Sequence, residues 1–334
     1  SAGALAGLDA DELGFPLVPA AEATRLGMYA LARLGSFDAL AAASLDAEGQ
    51  PVSRWWPVAS ALQQLGDQRG SPALMALLNT PGRYTAAFAA RGLGAMRSLA
   101  AAAPLRQIVE QQTTHQAVVI QAMRALSAIG DTASVLVLTG IVADAEADAA
   151  LRLEAMTALA TLATADSVEL LLDVMSDPSP AMRSAALRTL ARVDPDTFLA
   201  ALSGLDRDSE WTVRAAEADA LATLPLTRGE ARLSVLLEDD DPRVVSAVLA
   251  ARVTSRAPGT EAALIERLGA DDFSARAFAA TGLAGLGALA SIPSLVEAYR
   301  AALDDATYVA RVAILSALAE LDPTVARPVL ENAL

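Results

Sequence analysis

Few groups in this chain are equipped for covalent or metal chemistry. Its 334 residues contain one His (His115), no Cys, and 25 cations that are all Arg. Without Lys there is no Schiff-base amine and no phosphate-loop lysine, and without Cys there is no thiolate nucleophile or zinc-thiolate site. Carboxylates, hydroxyls and guanidinium groups remain. No Asp or Glu lies within four residues of His115 in QQTTHQAVV, and Glu110 is the nearest. A surface or helix-capping imidazole fits that setting better than a metal ligand. The acidic run Glu238-Asp239-Asp240-Asp241 lacks the alternating ligands, sharp-turn Gly and late Glu of a calcium loop. It reads as an acidic turn at a helix N-terminus, where the helix dipole favours carboxylates. The expectation is therefore a chain with no catalytic residue, no metal and no cofactor.

The residues with regular spacing point to binding and architecture instead. In residues 208–224, DSEWTVRAAEADALATL, an acid opens the segment, Val213-Arg214 follow, and Ala216, Ala220, Leu221 and Leu224 recur at helical spacing. Aligned on Leu221, the pattern returns at Leu31, Leu62, Leu93, Leu126, Leu159, Leu190, Arg252, Leu283 and Leu318, at intervals of 31 to 35 residues. A fixed period of that length marks stacked repeats. The residue before each anchor is small, which lets helices approach closely, and the residue three further on is apolar except at Ser255. This i, i+3 pair is expected to form one buried stripe. A second apolar helix lies between successive anchors, for example PALMALL (72–78) and EARLSVLL (230–237), with turns bearing Gly, Asp or Pro. A single helix pair cannot cover its own apolar faces, so stacked pairs must share one continuous core.

Composition and charge agree. The chain is 54% hydrophobic and 4% aromatic, and its Ala-rich segments favour helix. Residues 1–130 carry nine acids and nine Arg, so the whole net charge of −15 resides in residues 131–334. Such acidity repels phosphate backbones, and no nucleic-acid partner is expected. No apolar run reaches 18 residues, so no membrane span is expected. The compartment is left open between cytoplasmic and periplasmic or secreted, because a first residue other than Met fits leader removal as well as excision from a longer chain.

The acidic turn, Val-Arg, small pair and Leu resemble the HEAT repeat, and more narrowly the short HEAT-like repeats of phycobilisome lyases. The segments that carry the likeness are DPSPAMRSAALRTLARV (177–193), residues 208–224, DDPRVVSAVLAARV (240–253), DDFSARAFAATGLAGLG (271–287) and DDATYVARVAILSALAEL (304–321). The resemblance implies an all-α, right-handed α-solenoid of about ten helix pairs with no β-sheet. It spans residues 21–334 after an N-terminal segment (1–20) with a short helix near residues 4–13. It also implies a ladder of acid and Arg between adjacent repeats. The Arg position holds Arg152, Arg183, Arg214, Arg276 and Arg311, with Asp177, Asp208 and Asp305 among the acids. The Arg is missing at Thr24, Trp55, Ala86, Val119 and Val245. Repeats are thus divergent over 21–146 and regular over 147–334.

The divergent part holds the candidate binding residues. Trp55 and Trp56 are adjacent, and neighbouring helical residues point about 100° apart; one is expected to face the next pair and the other outward. A purely structural alternative packs both under the N-terminal segment with Phe15. Two residues before each anchor lies a polar or variable position that should line the concave face. Tyr29, Trp56, Arg91 and Arg124 would there form an aromatic and cationic patch suited to an acidic or extended peptide. The expected function is non-catalytic scaffolding through a protein or peptide partner. The alternative is an accessory region of a larger bacterial enzyme, because residues 208–321 also resemble HEAT-like arrays attached to cyclophilin-type peptidyl-prolyl isomerases. The barrel of that enzyme class has no counterpart in this sequence.

Overall fold

The computed structural model describes Leu5, Leu8, residues 18–112 and residues 114–331. The short helix expected near residues 4–13, and Phe15, lie outside the described residues apart from Leu5 and Leu8. Every regular element described is a helix, apart from an isolated bridge between Leu45 and Pro51. The chain divides into two compact units, residues 1–170 and 171–334.

Unit 1 contains α1 (Pro19–Arg33), α2 (Phe37–Ser44), α3 (Trp56–Leu65), α4 (Ser71–Leu78), α5 (Tyr84–Ala95), α6 (Ala102–Gln111), α7 (Gln116–Ile129), α8 (Val135–Ala143) and α9 (Ala149–Leu162). The division falls within α10 (Val168–Val174). Unit 2 continues with α11 (Pro180–Val193), α12 (Pro195–Gly204), α13 (Trp211–Ala222), α14 (Leu226–Leu237), α15 (Pro242–Thr254), α16 (Thr260–Arg267), α17 (Phe273–Leu286), α18 (Ile292–Ala301), α19 (Val309–Leu321) and α20 (Pro323–Glu331). In each unit the odd helices carry the anchors and pack side by side. The even helices pack on the odd ones and hardly on each other.

The local sequence explains the boundaries. Asp148, Asp194, Asp241 and Asp272 accept backbone N–H bonds as N-caps of α9, α12, α15 and α17. Proline occupies the first turn of α3, α4, α11, α12 and α15, where its missing N–H costs nothing. Gly66, Gly130 and Gly287 end α3, α7 and α17 in the left-handed conformation that favours glycine.

The anchors Leu62, Leu93, Leu126, Leu159, Leu190, Leu221, Leu283 and Leu318 are all buried, as are the small residues before them. The stripe three residues on fails at Leu34, which is 79% exposed, although Met96 at the same position and likewise at a C-cap is buried. Close approach is most marked between α5 and α7. A Cβ added at Gly94 would sit 2.6 Å from the Cα of Ala125, so these helices touch backbone to side chain.

The regular repeats of unit 2 are tied by their arginines. Arg183 donates to the carbonyls of Asp177 and Pro178 in its own turn and holds the Asp208 carboxylate of the next turn at 2.7 and 2.9 Å. Arg214 repeats this with the carbonyls of Asp208 and Ser209 and the carboxylate of Asp239. Arg276 bonds the carbonyls of Ala270 and Asp271 and the carboxylate of Asp305, whose own carbonyl accepts from Arg311. In unit 1, Arg152 reaches back to the carbonyl of Val142. Asp208 and Asp305 thus each serve two repeats: the carbonyl binds its own Arg and the carboxylate the preceding one.

Candidate functional site

Within unit 1 the odd helices bring Tyr29, Trp56 and a third ring, Phe88, into one run. The Tyr29 and Trp56 centroids are 6.5 Å apart at 48°. Trp56 stacks on Phe88 at 5.8 Å and 22°. Arg25 lies over the Tyr29 ring at 5.4 Å, within cation–π range, and its guanidinium also binds Glu22. All three rings are half-buried, so each keeps part of its surface toward solvent.

The two tryptophans differ sharply. Trp55 is fully buried and precedes α3 in an extended conformation, whereas Trp56 opens the helix. The helical 100° rule therefore does not apply between them. Their separation arises because the chain turns from extended to helical between one residue and the next.

Arg91 and Arg124 meet at a neighbouring place. Both are exposed, and together they line an open cleft of about 390 Å³ whose floor is Gly94, Ala95, Ala125 and Ala128. The close α5–α7 approach at Gly94 provides that floor. Arg124 is held by a bidentate pair with Glu154 of α9, at 2.9 and 2.7 Å, and this partner raises its pKa above the usual guanidinium value. Phe88 lies three residues before Arg91 on α5, hence on the same helical face, and joins the aromatic run to the cationic cleft.

Phe88, Arg25 and Glu154, and Gln121, which also lines the Arg91–Arg124 cleft, were not among the expected site residues. Phe88 was legible: it sits five residues before its anchor Leu93, close to the register of Trp56 six before Leu62. The variable row itself is exposed from Arg91 onward, through Arg124, Thr157, Arg188, Asp219, Ala250, Thr281 and Ser316. In unit 2 its charges pair with each other, Arg188 with Asp219 at 2.8 Å.

His115 is exposed at the N-cap of α7, and its side chain makes no capping bond. In the acidic run, Asp239 pairs with Arg214 and Arg207, Asp240 with Arg207, and Asp241 with Arg243. Arg243 in turn lies 3.9 Å over the Trp211 ring. Among the described residues, no group of three or more His, Asp or Glu side chains is placed to hold a metal. No described helix is long and apolar enough to cross a membrane.

The architecture is that of an all-α repeat protein built from stacked helix pairs. Residues 71–149 and 141–222 match the model of HEAT repeats. Similar solved structures include the CpcE–CpcF complex of phycocyanin lyase from Nostoc sp. PCC7120, with 19% identity and a TM-score of 0.41, covering 64% of this chain and 92% of that one. An engineered protein matches with 19% identity and a TM-score of 0.41 over 99% and 90% of the two chains. Kap95p, from a complex with RanGDP, matches with 12% identity and a TM-score of 0.48 over 96% and 50%. No curated protein matches the chain significantly.

Proposed function

We propose that the chain is a non-catalytic scaffold that binds a protein or peptide on the odd-helix face of its divergent repeats. The contact residues are Tyr29, Trp56, Arg91 and Arg124, with Phe88 completing the patch. The observation that carries this reading is the half-buried aromatic run across three successive odd helices. Trp55, beside it, shows that this fold can bury an indole completely. Leaving Trp56 part-exposed on the face shared with Arg91 and Arg124 gives a rigid aromatic surface edged by guanidinium groups. Residues of these kinds dominate binding energy at protein interfaces. Arg with aromatics suits an acidic or extended segment.

The test is affinity measured against peptides selected on the intact chain from a library of acidic and neutral extended sequences. Replacing Trp56 and Arg91 with Ala should weaken the selected peptides at least tenfold. Unchanged affinity in the double variant, with its helicity intact, would refute the assignment.

A further inference from the structure

The arginine ladder has gaps, and one of them is an open site. At the intact junction around Asp208, the space between successive turns is a cavity of only about 50 Å³, lined by Met175 and Val213 among others. The equivalent residues where Ala86 replaces the Arg are Leu78, eight positions before, and Val118, one before the next ladder position. Both line a solvent-open cleft of about 490 Å³. A second gap, at Val245, behaves alike: Leu237 and Leu249 line a cleft of about 470 Å³. At these two of the five gaps the space is roughly tenfold larger than at the intact Asp208 junction.

The cleft beside Ala86 keeps the acceptors. In the ladder the guanidinium binds the carbonyls six and five residues before its own position. Counted back from Ala86 these are Thr80 and Pro81, and both line the cleft. Thr80 is 5% exposed, yet its hydroxyl has no hydrogen-bond partner among the described residues. Such a buried orphan is costly, and it lies just beneath the surface of the cleft that Thr80 lines. The opposite wall carries the side-chain amides of Gln107 and Gln111. The acid's counterpart, six residues before Val119, is Thr113, so the native counter-charge is gone as well. The nearest cation in the turn, Arg83, lies over the Tyr84 ring at 4.4 Å.

We infer that the cleft between the α4–α5 and α6–α7 turns is a vacated guanidinium socket that receives an arginine side chain from a partner chain. Guanidinium has five donors in a planar fork and no acceptor, suited to the carbonyls of Thr80 and Pro81 and the amide oxygens of Gln107 and Gln111, beside which exposed His115 also lines the cleft. A lysine ammonium lacks that fork and has no ladder precedent in this fold. The socket does not rest on the aromatic patch proposed above. It lies at the turns and involves none of the four patch residues.

The test is a titration of the intact chain, followed by amide chemical shifts, with N-acetyl-arginine methylamide as the probe. Its neutral isostere, N-acetyl-citrulline methylamide, and the lysine analogue serve as comparisons. Saturable shifts should appear at residues 78–82 and 107–118, with arginine binding at least tenfold tighter than either analogue. Thr80→Val should weaken arginine about threefold or more. Ala86→Arg, which places the chain's own guanidinium in the socket, should abolish binding and raise the melting temperature. Equal binding of citrulline, unchanged affinity in Thr80→Val, or shifts confined to other residues would overturn the inference. Because Thr80→Val is read independently, a poorly folding Ala86→Arg chain would not rescue it. Loss of peptide binding in Trp56→Ala and Arg91→Ala variants that still bind arginine here would separate the two sites.

Discussion

Arg214 and Asp239 lie 25 residues apart in sequence and meet in a bidentate pair, Nε to Oδ2 at 2.7 Å and Nη2 to Oδ1 at 3.0 Å. Their side chains are only 8% and 2% exposed. The remaining guanidinium donors reach the carbonyls of Asp208 and Ser209, so the pair links two repeats while satisfying a turn. Breaking one side of such a pair leaves a buried charge and costs about 3–5 kcal/mol. Arg214→Met is therefore expected to destabilise unit 2 toward the lower end of that range in urea unfolding, because Arg207 still reaches the Asp239 carboxylate at 3.1 Å. Arg188→Ala, which removes the exposed Arg188–Asp219 pair, should cost less than about 1 kcal/mol. Equal effects would show that burial does not govern the ladder.

The same pairs set an acid limit. Hydrogen bonds from Arg214 hold the Asp239 carboxyl below its usual value. Burial works to raise Asp208, but its bonds from Arg183 and from the Glu210 N–H outweigh it, and the net shift is downward. A carboxyl with a depressed folded pKa contributes stability that is complete above its unfolded value, about 3.9. That contribution is lost as pH falls through the folded value. Melting temperature should therefore hold from pH 7 to about 5 and drop steeply below about pH 4. An Asp208→Asn, Asp239→Asn chain should lose less between pH 5 and 3 than the parent, and an equal loss would count against the pairs as its source.

Glycines separate packing from propensity. Gly94→Ala drives a Cβ to within 2.6 Å of the Ala125 backbone and is expected to cost about 1–3 kcal/mol by forcing α5 from α7. Gly27, within α1, has nothing within 4 Å of an added Cβ. There the change to Ala should stabilise by about 0.5–1 kcal/mol through helix propensity. Thermal unfolding of both variants checks the pair. The Gly94 variant should also disturb the Arg91–Arg124 cleft, whose floor it belongs to.

The helix pairs were readable because burial repeats with the chain's own period: a Leu, a small residue before it and an apolar one after it recur wherever two odd helices must touch. The acid and Arg of the ladder were readable as types, but their wiring was not. Asp208 lies six residues from Arg214 in sequence, yet gives it a carbonyl and gives its carboxylate to Arg183. Trp55 and Trp56 were treated as one helix although the chain is still extended at Trp55. Phe88 was legible by its register before Leu93, but a lone Phe in an alanine-rich helix fits the core equally well. The cleft at Ala86 is harder still, since it is defined by a side chain that the repeat lacks.

Patch substitutions should leave the fold alone. Arg124 is 58% exposed but the Glu154 carboxylate that it holds is only 12% exposed, so losing the pair is expected to cost about 1–3 kcal/mol. Arg91→Ala should be near neutral in urea unfolding. Trp56→Ala removes stacking on Phe88, worth about 0.5–1.5 kcal/mol beyond the buried area. Any larger loss of binding than of stability then belongs to the surface itself.

The most direct measurement is the affinity of the chain for the acidic extended peptides selected on it, compared between the parent and the Trp56→Ala, Arg91→Ala double variant. Binding through the odd-helix face of the divergent repeats requires a loss of tenfold or more, with an Arg188→Ala control in the regular repeats unchanged. Parent-like affinity in the double variant, or an equal loss in the Arg188 control, would contradict it.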